Sequence, residues 1–551
     1  MDRRRRIAIA ALCGFGLEGY CRIGSAQVSA LSKTLLDRAK ALTDYAALRA
    51  YTGKEAAVTL SAAGISGTFV ADTGDMTSAD NGATIIVDGN GMRRKRVFDG
   101  PINVKWFGAK GDGVTSDVAA FQAALSDGRD VEIGTGTYLL DAAINIAAGN
   151  PRTVRGKGTV TFKVSLAANT NLISSYAAVS FENVTFDFGN GFVKIALYYR
   201  ANCGSISLKK VNFQNIRDTN NTYGSFVVYI DPQGNRFDLD GLAFSNLLKT
   251  GNGVITDSNG SLNCIYVGGN STVGIAAVGT IKRVSFVEVH NIDRSGNLLY
   301  EDTTGIYIAT PASDQDNSVS ISDIYGYNFG KRLIKVQASN VTARNVIGDA
   351  PAGDSSAVIA FMSDAVLGDK FGNAATDVRA YGNMEYAFTT SAHGTKFKNV
   401  IAANQPGLLA GMSNAAFGIL IAGNDAVIEN YESNASRAFA FGSATQIIMN
   451  TRIKNMRMTM RDNQNYGIGA VSTITGYDGL EIDGLYIDYQ STATGIPIDM
   501  ETYFNGTAIM ARNLVLKNVQ IMSNGRVNAY GILRRPSAPS TSRSITTGPP
   551  M

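Results

Sequence analysis

At 551 residues with 45% hydrophobic side chains, the chain is long enough for two to four ordinary domains or one long repeat array. Its 59 glycines, 11 prolines and two histidines describe a turn-rich β protein and exclude a helical bundle. The net charge of +4 sits at the ends: residues 1–26 hold five arginines against Asp2 and Glu18, and Arg534, Arg535 and Arg543 follow residue 533, which leaves a body near −2 and no basic surface for nucleic acid.

Residues 1–26, "MDRRRRIAIAALCGFGLEGYCRIGSA", place a cationic cluster before an apolar run (Ile7–Leu17) and small residues at Gly24 and Ala26. This is the layout of an export signal cleaved after about Ala26, and it predicts a secreted, extracellular protein with no stable membrane span, because the run is too short to cross a bilayer. A virion tail is the alternative location. Cys13 and Cys21 lie in this leader, so the remaining pair, Cys203 and Cys264, makes no disulfide framework and is expected as two buried small residues.

Residues 28–50 space Val28, Leu31, Leu35, Ala39 and Leu42 as an amphipathic helix. Short β runs follow, with a turn at Asn90-Gly91. Residues 27–100 are thus expected as a small helix-plus-β module, serving attachment or packing. The glycine stretch "GAKGDG" (108–113) then turns into "TSDVAAFQAAL", where Thr115, Ser116 or Asp117 can cap a helix with Val118, Phe121, Ala124 and Leu125 on one face. A phosphate loop is the weaker reading of these glycines, because no Gly-Lys-Ser/Thr follows.

From residue 179 a pattern recurs: apolar, spacer, apolar, two spacers, apolar, spacer, apolar. "VSFENVTF" (179–186), "ISLKKVNF" (206–213), "FDLDGLAF" (237–244), "LEIDGLYI" (480–487) and "LVLKNVQI" (514–521) match it, with partial copies between. Each unit alternates as a strand, breaks at a two-residue corner and alternates again, so it buries its face only against neighbouring copies. Second strands such as "GIYIA" (305–309), "RLIKVQA" (332–338) and "SAVIAF" (356–361) fall between the copies. The expectation is an all-β parallel β-helix over residues 101–533, whose open end is covered by the helix near Phe121, followed by a disordered tail, 534–551.

"WFGAKGDGVTSDVAAFQAAL" followed by "VEIGTGTYLL" (131–140) closely resembles the opening segment of the pectate-lyase-like superfamily of right-handed parallel β-helix proteins. Residues 65–107 are also similar to the segment preceding the β-helix in phage tailspikes. The resemblance implies a right-handed helix and a carbohydrate-active enzyme acting on a polysaccharide, as a polysaccharide lyase, a glycoside hydrolase or a tailspike depolymerase, and it leaves room for a homotrimer. The polygalacturonase signature of paired aspartates, Gly-His-Gly and Arg-Ile-Lys is not reproduced. "SAHG" (391–394) and "RLIK" (332–335) are fragments in the wrong order, so no catalytic residue carries over.

Residues just before the second strands should stack into a column at the strand spacing of about 4.8 Å. That column contains Glu301 and Asp302, then Lys331 and Arg332, then Asp349 and Asp354, then Glu385. Asp302 and Asp354, roughly 9.6 Å apart along the axis with Arg332 between them, form the expected acid and base of an inverting hydrolase. Glu301, Asp349, Glu385 and His393 are further catalytic candidates, while Arg332, Lys335 and His393 leave β-elimination at a uronate open. Tyr300, Tyr307, Lys335 and Tyr386 are the expected substrate contacts, with rings for sugar stacking. His290 is expected at a turn edge. No cofactor is expected; Asp314, Asp316 and Asp323 offer oxygen ligands for Ca²⁺ without a supporting loop spacing. The function expected is an extracellular depolymerase of a bacterial surface polysaccharide or exopolysaccharide, hydrolysis first and lyase second, with a non-catalytic glycan-binding spike as the alternative.

Overall fold

The computed structural model describes residues 38–533 except 167–168, 190, 192–193, 220–222, 251–260, 270–274, 300–301, 312–315, 406–415, 436, 444–445, 461–465, 471–475, 491–495 and scattered positions between 500 and 531. The export signal, residues 28–37 of the expected helix, Tyr300, Glu301, Asp314 and the tail lie outside the described residues. The chain divides into two compact units, residues 38–163 with 179–184, and residues 164–178 with 185–533.

In the first unit, β1 (Lys40–Leu42), α1 (Tyr45–Arg49), β2 (Ala57–Leu60), β3 (Gly67–Asp72), β4 (Ile85–Val87) and β5 (Arg93–Arg96) form a sheet in the order β1-β2-β3-β5-β4. Leu48, Val58, Leu60, Phe69 and Ile86 make its core. The helix expected through residue 50 is corrected here: Lys40–Leu42 pairs in parallel with Val58–Leu60, and only Tyr45–Arg49 is helical, started by the Asp44 carboxylate accepting from the Ala47 N–H. Strand pairing with a partner 18 residues away overrides the local helical period. The Asn90-Gly91 turn does join two antiparallel strands, with Gly91 at φ 78°. Arg96 lies over the rings of Phe69 (4.6 Å) and Trp106 (4.5 Å), which ties the chain's single tryptophan to this sheet.

The helix α2 (Val118–Ser126) buries Ala120, Phe121, Ala124 and Leu125. The Phe121 ring meets Tyr138 (5.6 Å) and Phe162 (5.1 Å) edge to face. Asp117 occupies the N-cap position, but its carboxylate turns away from the helix and accepts from the N–H groups of Lys110 (2.6 Å) and Leu139 (3.1 Å). The glycine loop is thereby held across the ring of Tyr138. Gly111, at φ 66°, has that ring 2.8 Å from where a Cβ would stand, so no other residue fits.

The second unit winds two long parallel sheets. One carries the recurring pattern, and its inward column runs in register from Leu208 through Leu239, Ile281, Ile321, Ala343, Ala375, Phe397, Ile428 and Ile453 to Ile482. Beside it Phe186, Phe213, Phe244 and Phe286 stack nearly parallel at 5.1–5.2 Å. The other sheet comprises the short second strands, including Ile195–Tyr199, Ser225–Ile230, Leu262–Gly268, Thr303–Ala309, Arg332–Gln337 and Ala357–Phe361. Cys203 and Cys264 are buried free thiols.

The second of the two adjacent spacers explains the corner. It is Asn183, Lys210, Gly241, Arg283, Asp323, Asn345, Asp377, Asn399, Asn430, Asn455, Gly484 and Asn518 in successive copies, and every one has φ between 51° and 79°. This left-handed conformation costs most residues about 1–2 kcal/mol and suits Gly, Asn and Asp, which is why those types recur. Lys210 and Arg283 are the exceptions, so Lys210→Asn and Arg283→Asn should each stabilise the chain by up to about 1 kcal/mol. A rise in thermal unfolding temperature for both checks this; a fall would show that their side chains contribute more than the backbone loses.

Candidate active site

Lys335 lies in register with Tyr307, and Tyr307 with Tyr266, Tyr229 and Tyr198, one residue per coil on the outer face of the short-strand sheet. Their neighbours in sequence point inward because a strand alternates its faces. The ring centroids are 4.7, 4.8 and 5.2 Å apart, with Arg200 over the Tyr198 ring at 4.0 Å and the Lys335 ammonium over the Tyr307 ring at 4.3 Å. Rings leaning on one another present edges and hydroxyls outward instead of open faces, so this track offers hydrogen bonds more than stacking. Burial raises the Tyr307 pKa and pushes Tyr266 up to about 12, which keeps both hydroxyls protonated.

At the Lys335 end three cations gather on one carboxylate. Asp302 contacts Arg332 (2.6 Å), Lys335 (3.3 Å) and Lys331 (3.9 Å). Burial alone would raise the Asp302 pKa, but Lys335, Arg332 and Lys331 outweigh it and hold the carboxyl below its ordinary value. Burial, reinforced by the Arg332 charge, lowers the Lys331 amine to about 8, and burial also lowers Lys335. Glu385 and Asp364 stand further out, felt electrostatically by Lys331 and Lys335 respectively. The Tyr307 hydroxyl donates to the Gln337 side-chain oxygen, and the Gln337 amide donates to Asp364 (2.8 Å).

The expected site residues therefore divide. Asp302, Arg332, Lys335 and Tyr307 meet in one cluster, with Glu385 near it. Asp354 is elsewhere: the strand Val341–Ser355 leaves regular register between Ala350 and Ser355, and in that irregularity Asp354 turns inward and bonds the His290 Nδ1 at 2.7 Å, both groups buried. Burial disfavours the charged imidazole, but Asp354 and Glu288 more than offset it, so the His290 pKa is raised. Both the turn-edge placement of His290 and the column position of Asp354 are corrected by this pair. Asp349 is on the other sheet, in register with Tyr327 and Tyr381. His393 follows the far end of the strand Tyr386–Thr390 from Glu385, where it accepts from the Asn424 N–H and stacks on Phe371. Tyr386 stacks on Phe417 at 5.4 Å. Asp323 accepts from Asn345 at a corner, and among the described residues no group of three His, Cys, Asp or Glu side chains is placed to hold a metal. Sequence reasoning missed Tyr198, Tyr229 and Tyr266, although "LYY", "VYI", "IYV" and "IYI" share an apolar-Tyr signal.

Residues 41–99 match the family described as a phage tail protein small four-stranded beta-sheet domain. The pre-neck appendage protein of Bacillus phage phi29 is 31% identical over 97 residues, which covers 16% of this chain and 11% of that relative. Among solved structures, a PL6 alginate lyase in complex with a trisaccharide matches with a TM-score of 0.50 at 12% identity, over 82% of this chain and 98% of the lyase. A tailspike of Acinetobacter phage vb_AbaP_AS12 matches with a TM-score of 0.40 at 11% identity, over 92% of this chain and 78% of the tailspike.

Proposed function

On the right-handed parallel β-helix that this chain shares with the pectate-lyase-like superfamily, we propose a depolymerase that cleaves an acidic bacterial surface polysaccharide by β-elimination at a uronate. The carrying observation is the gathering of Lys331, Arg332 and Lys335 on the single carboxylate of Asp302. Arg332 and Lys335 neutralise the uronate carboxylate in competition with Asp302, which acidifies the proton on the adjacent carbon. Lys331, neutral above about pH 8, takes that proton. The carbon–oxygen bond to the departing sugar breaks, a carbon–carbon double bond forms, and the Tyr307 hydroxyl protonates the leaving oxygen. The positive charge comes from the side chains, and the reading calls on no cofactor.

Hydrolysis by Asp302 and Asp354 is less well supported. A general acid must hold a proton at working pH, whereas Asp302 is kept ionised, and Asp354 is committed to His290. The match of residues 41–99 to a phage tail domain favours residues 27–100 as the attachment module of a virion tail protein, with residues 101–533 as the glycan-directed part. It also supports a second reading, a spike that binds glycan without cutting it. Incubating the full chain with acidic and neutral exopolysaccharides separates these. New unsaturated, ultraviolet-absorbing ends are expected from acidic polymers alone; reducing ends without that absorbance would restore hydrolysis, and binding without new ends would leave the spike.

A further inference from the structure

The corner-bearing sheet has a groove of its own, of about 400 Å³, on a different sheet from the Asp302 cluster. Its floor is one outward side chain per coil, in register: Ile347, Arg379, Ile401, Glu432 and Arg457. The same row continues to a tyrosine at each end, Tyr325 beside Ile347, 45% exposed, and Tyr486 beside Arg457, whose guanidinium lies 5.0 Å from that ring. One wall is the left-handed corner column. There Asn399 donates to Asp377 (2.9 Å), Asn430 to Asn399 (2.8 Å) and Asn455 to Asn430 (3.1 Å).

We infer that this groove is a second, non-cleaving glycan-binding site, which holds an uncharged or weakly charged stretch of polysaccharide along the helix axis. Each corner amide spends one N–H on the preceding coil and keeps the second, so the wall presents a repeating donor at the strand spacing of about 4.8 Å. A polymer whose hydroxyl or acetamido groups repeat along an extended chain matches such a wall. Arg379 and Glu432 are both exposed on this face, which makes them available to a ligand. Floor and wall together balance Arg379 and Arg457 against Glu432 and Asp377, which gives neither the positive field a nucleic acid needs nor a broad apolar strip for a partner helix. Tyrosines at both ends supply rings for terminal sugars. Cutting by hydrolysis needs two carboxyl groups, but Asp377 already accepts from Asn399 and lies 3.5 Å from Arg344, leaving Glu432 alone.

The test is binding of the full chain to a printed array of bacterial capsular and lipopolysaccharide glycans, read without turnover and so independent of the cleavage proposed above. The double variant Arg379→Ala/Arg457→Ala should lose at least about tenfold in signal. Asn430→Gly, which keeps the left-handed backbone and removes one amide, should lose signal as well while its thermal unfolding identifies any loss of fold. Unchanged binding in both variants overturns the inference, as does a wild-type chain that binds no glycan on the array. A change of mass by light scattering in the variants, with glycan binding intact, also overturns it and assigns the groove to contact between copies of this chain.

Discussion

Turnover of an acidic polysaccharide by the Lys331→Met variant falls by roughly 10²–10⁴-fold, the usual contribution of a general base, while the fold persists. Methionine keeps the length and packing of the side chain and removes only the titrating amine. The wild-type pH profile carries the same information. The base is the neutral amine, and with a pKa of about 8 only about one molecule in a hundred holds it at pH 6, so the rate should climb about tenfold per pH unit and level off above 8. The Arg332 charge helps hold that amine down, so Arg332→Gln should move the limb to higher pH as well as weaken substrate capture. A bell-shaped profile centred in the carboxylate range, or full activity in Lys331→Met, would reject elimination through this cluster.

The Phe121→Asp variant loses most of the stability of the first unit. Phe121 is 2% exposed and packs its ring against Tyr138 and Phe162. Truncating such a phenylalanine costs about 3–5 kcal/mol, and an unpaired carboxylate in the same place adds a further desolvation cost. Folded domains hold a net of only about 5–15 kcal/mol, so the variant should unfold at a much lower temperature or fail to stay soluble. Phe121→Leu keeps the site apolar and should fall between the two. Thermal unfolding of the three proteins orders them; an unaltered transition in Phe121→Asp would mean that the helix α2 does not cover this core.

The repeating corner was legible because its determinants are local. The strand alternation needs only the period of two, and the left-handed corner residue is Asn, Asp or Gly in every copy but those of Lys210 and Arg283, so the copies "VTARNV" (341–346), "FKNVIA" (397–402) and "LEIDGLYI" (480–487) announce their backbone without knowledge of any neighbour. The same holds for the glycine loop and the apolar face of α2. What the sequence could not decide is which side chains meet across coils. Coils differ in length, and register is set by hydrogen bonds between strands: Arg332 pairs with Thr304 and Ala357, while the irregularity between Ala350 and Ser355 takes Asp354 out of the column. Counting residues back from each strand therefore placed Asp302 and Asp354 as equivalents, although one ends among three cations and the other against a histidine 64 residues away. The depressed Lys331 amine and the track from Tyr198 to Lys335 have the same origin. Proximity across coils and burial set them, and both exist only once the solenoid has wound its strands into register.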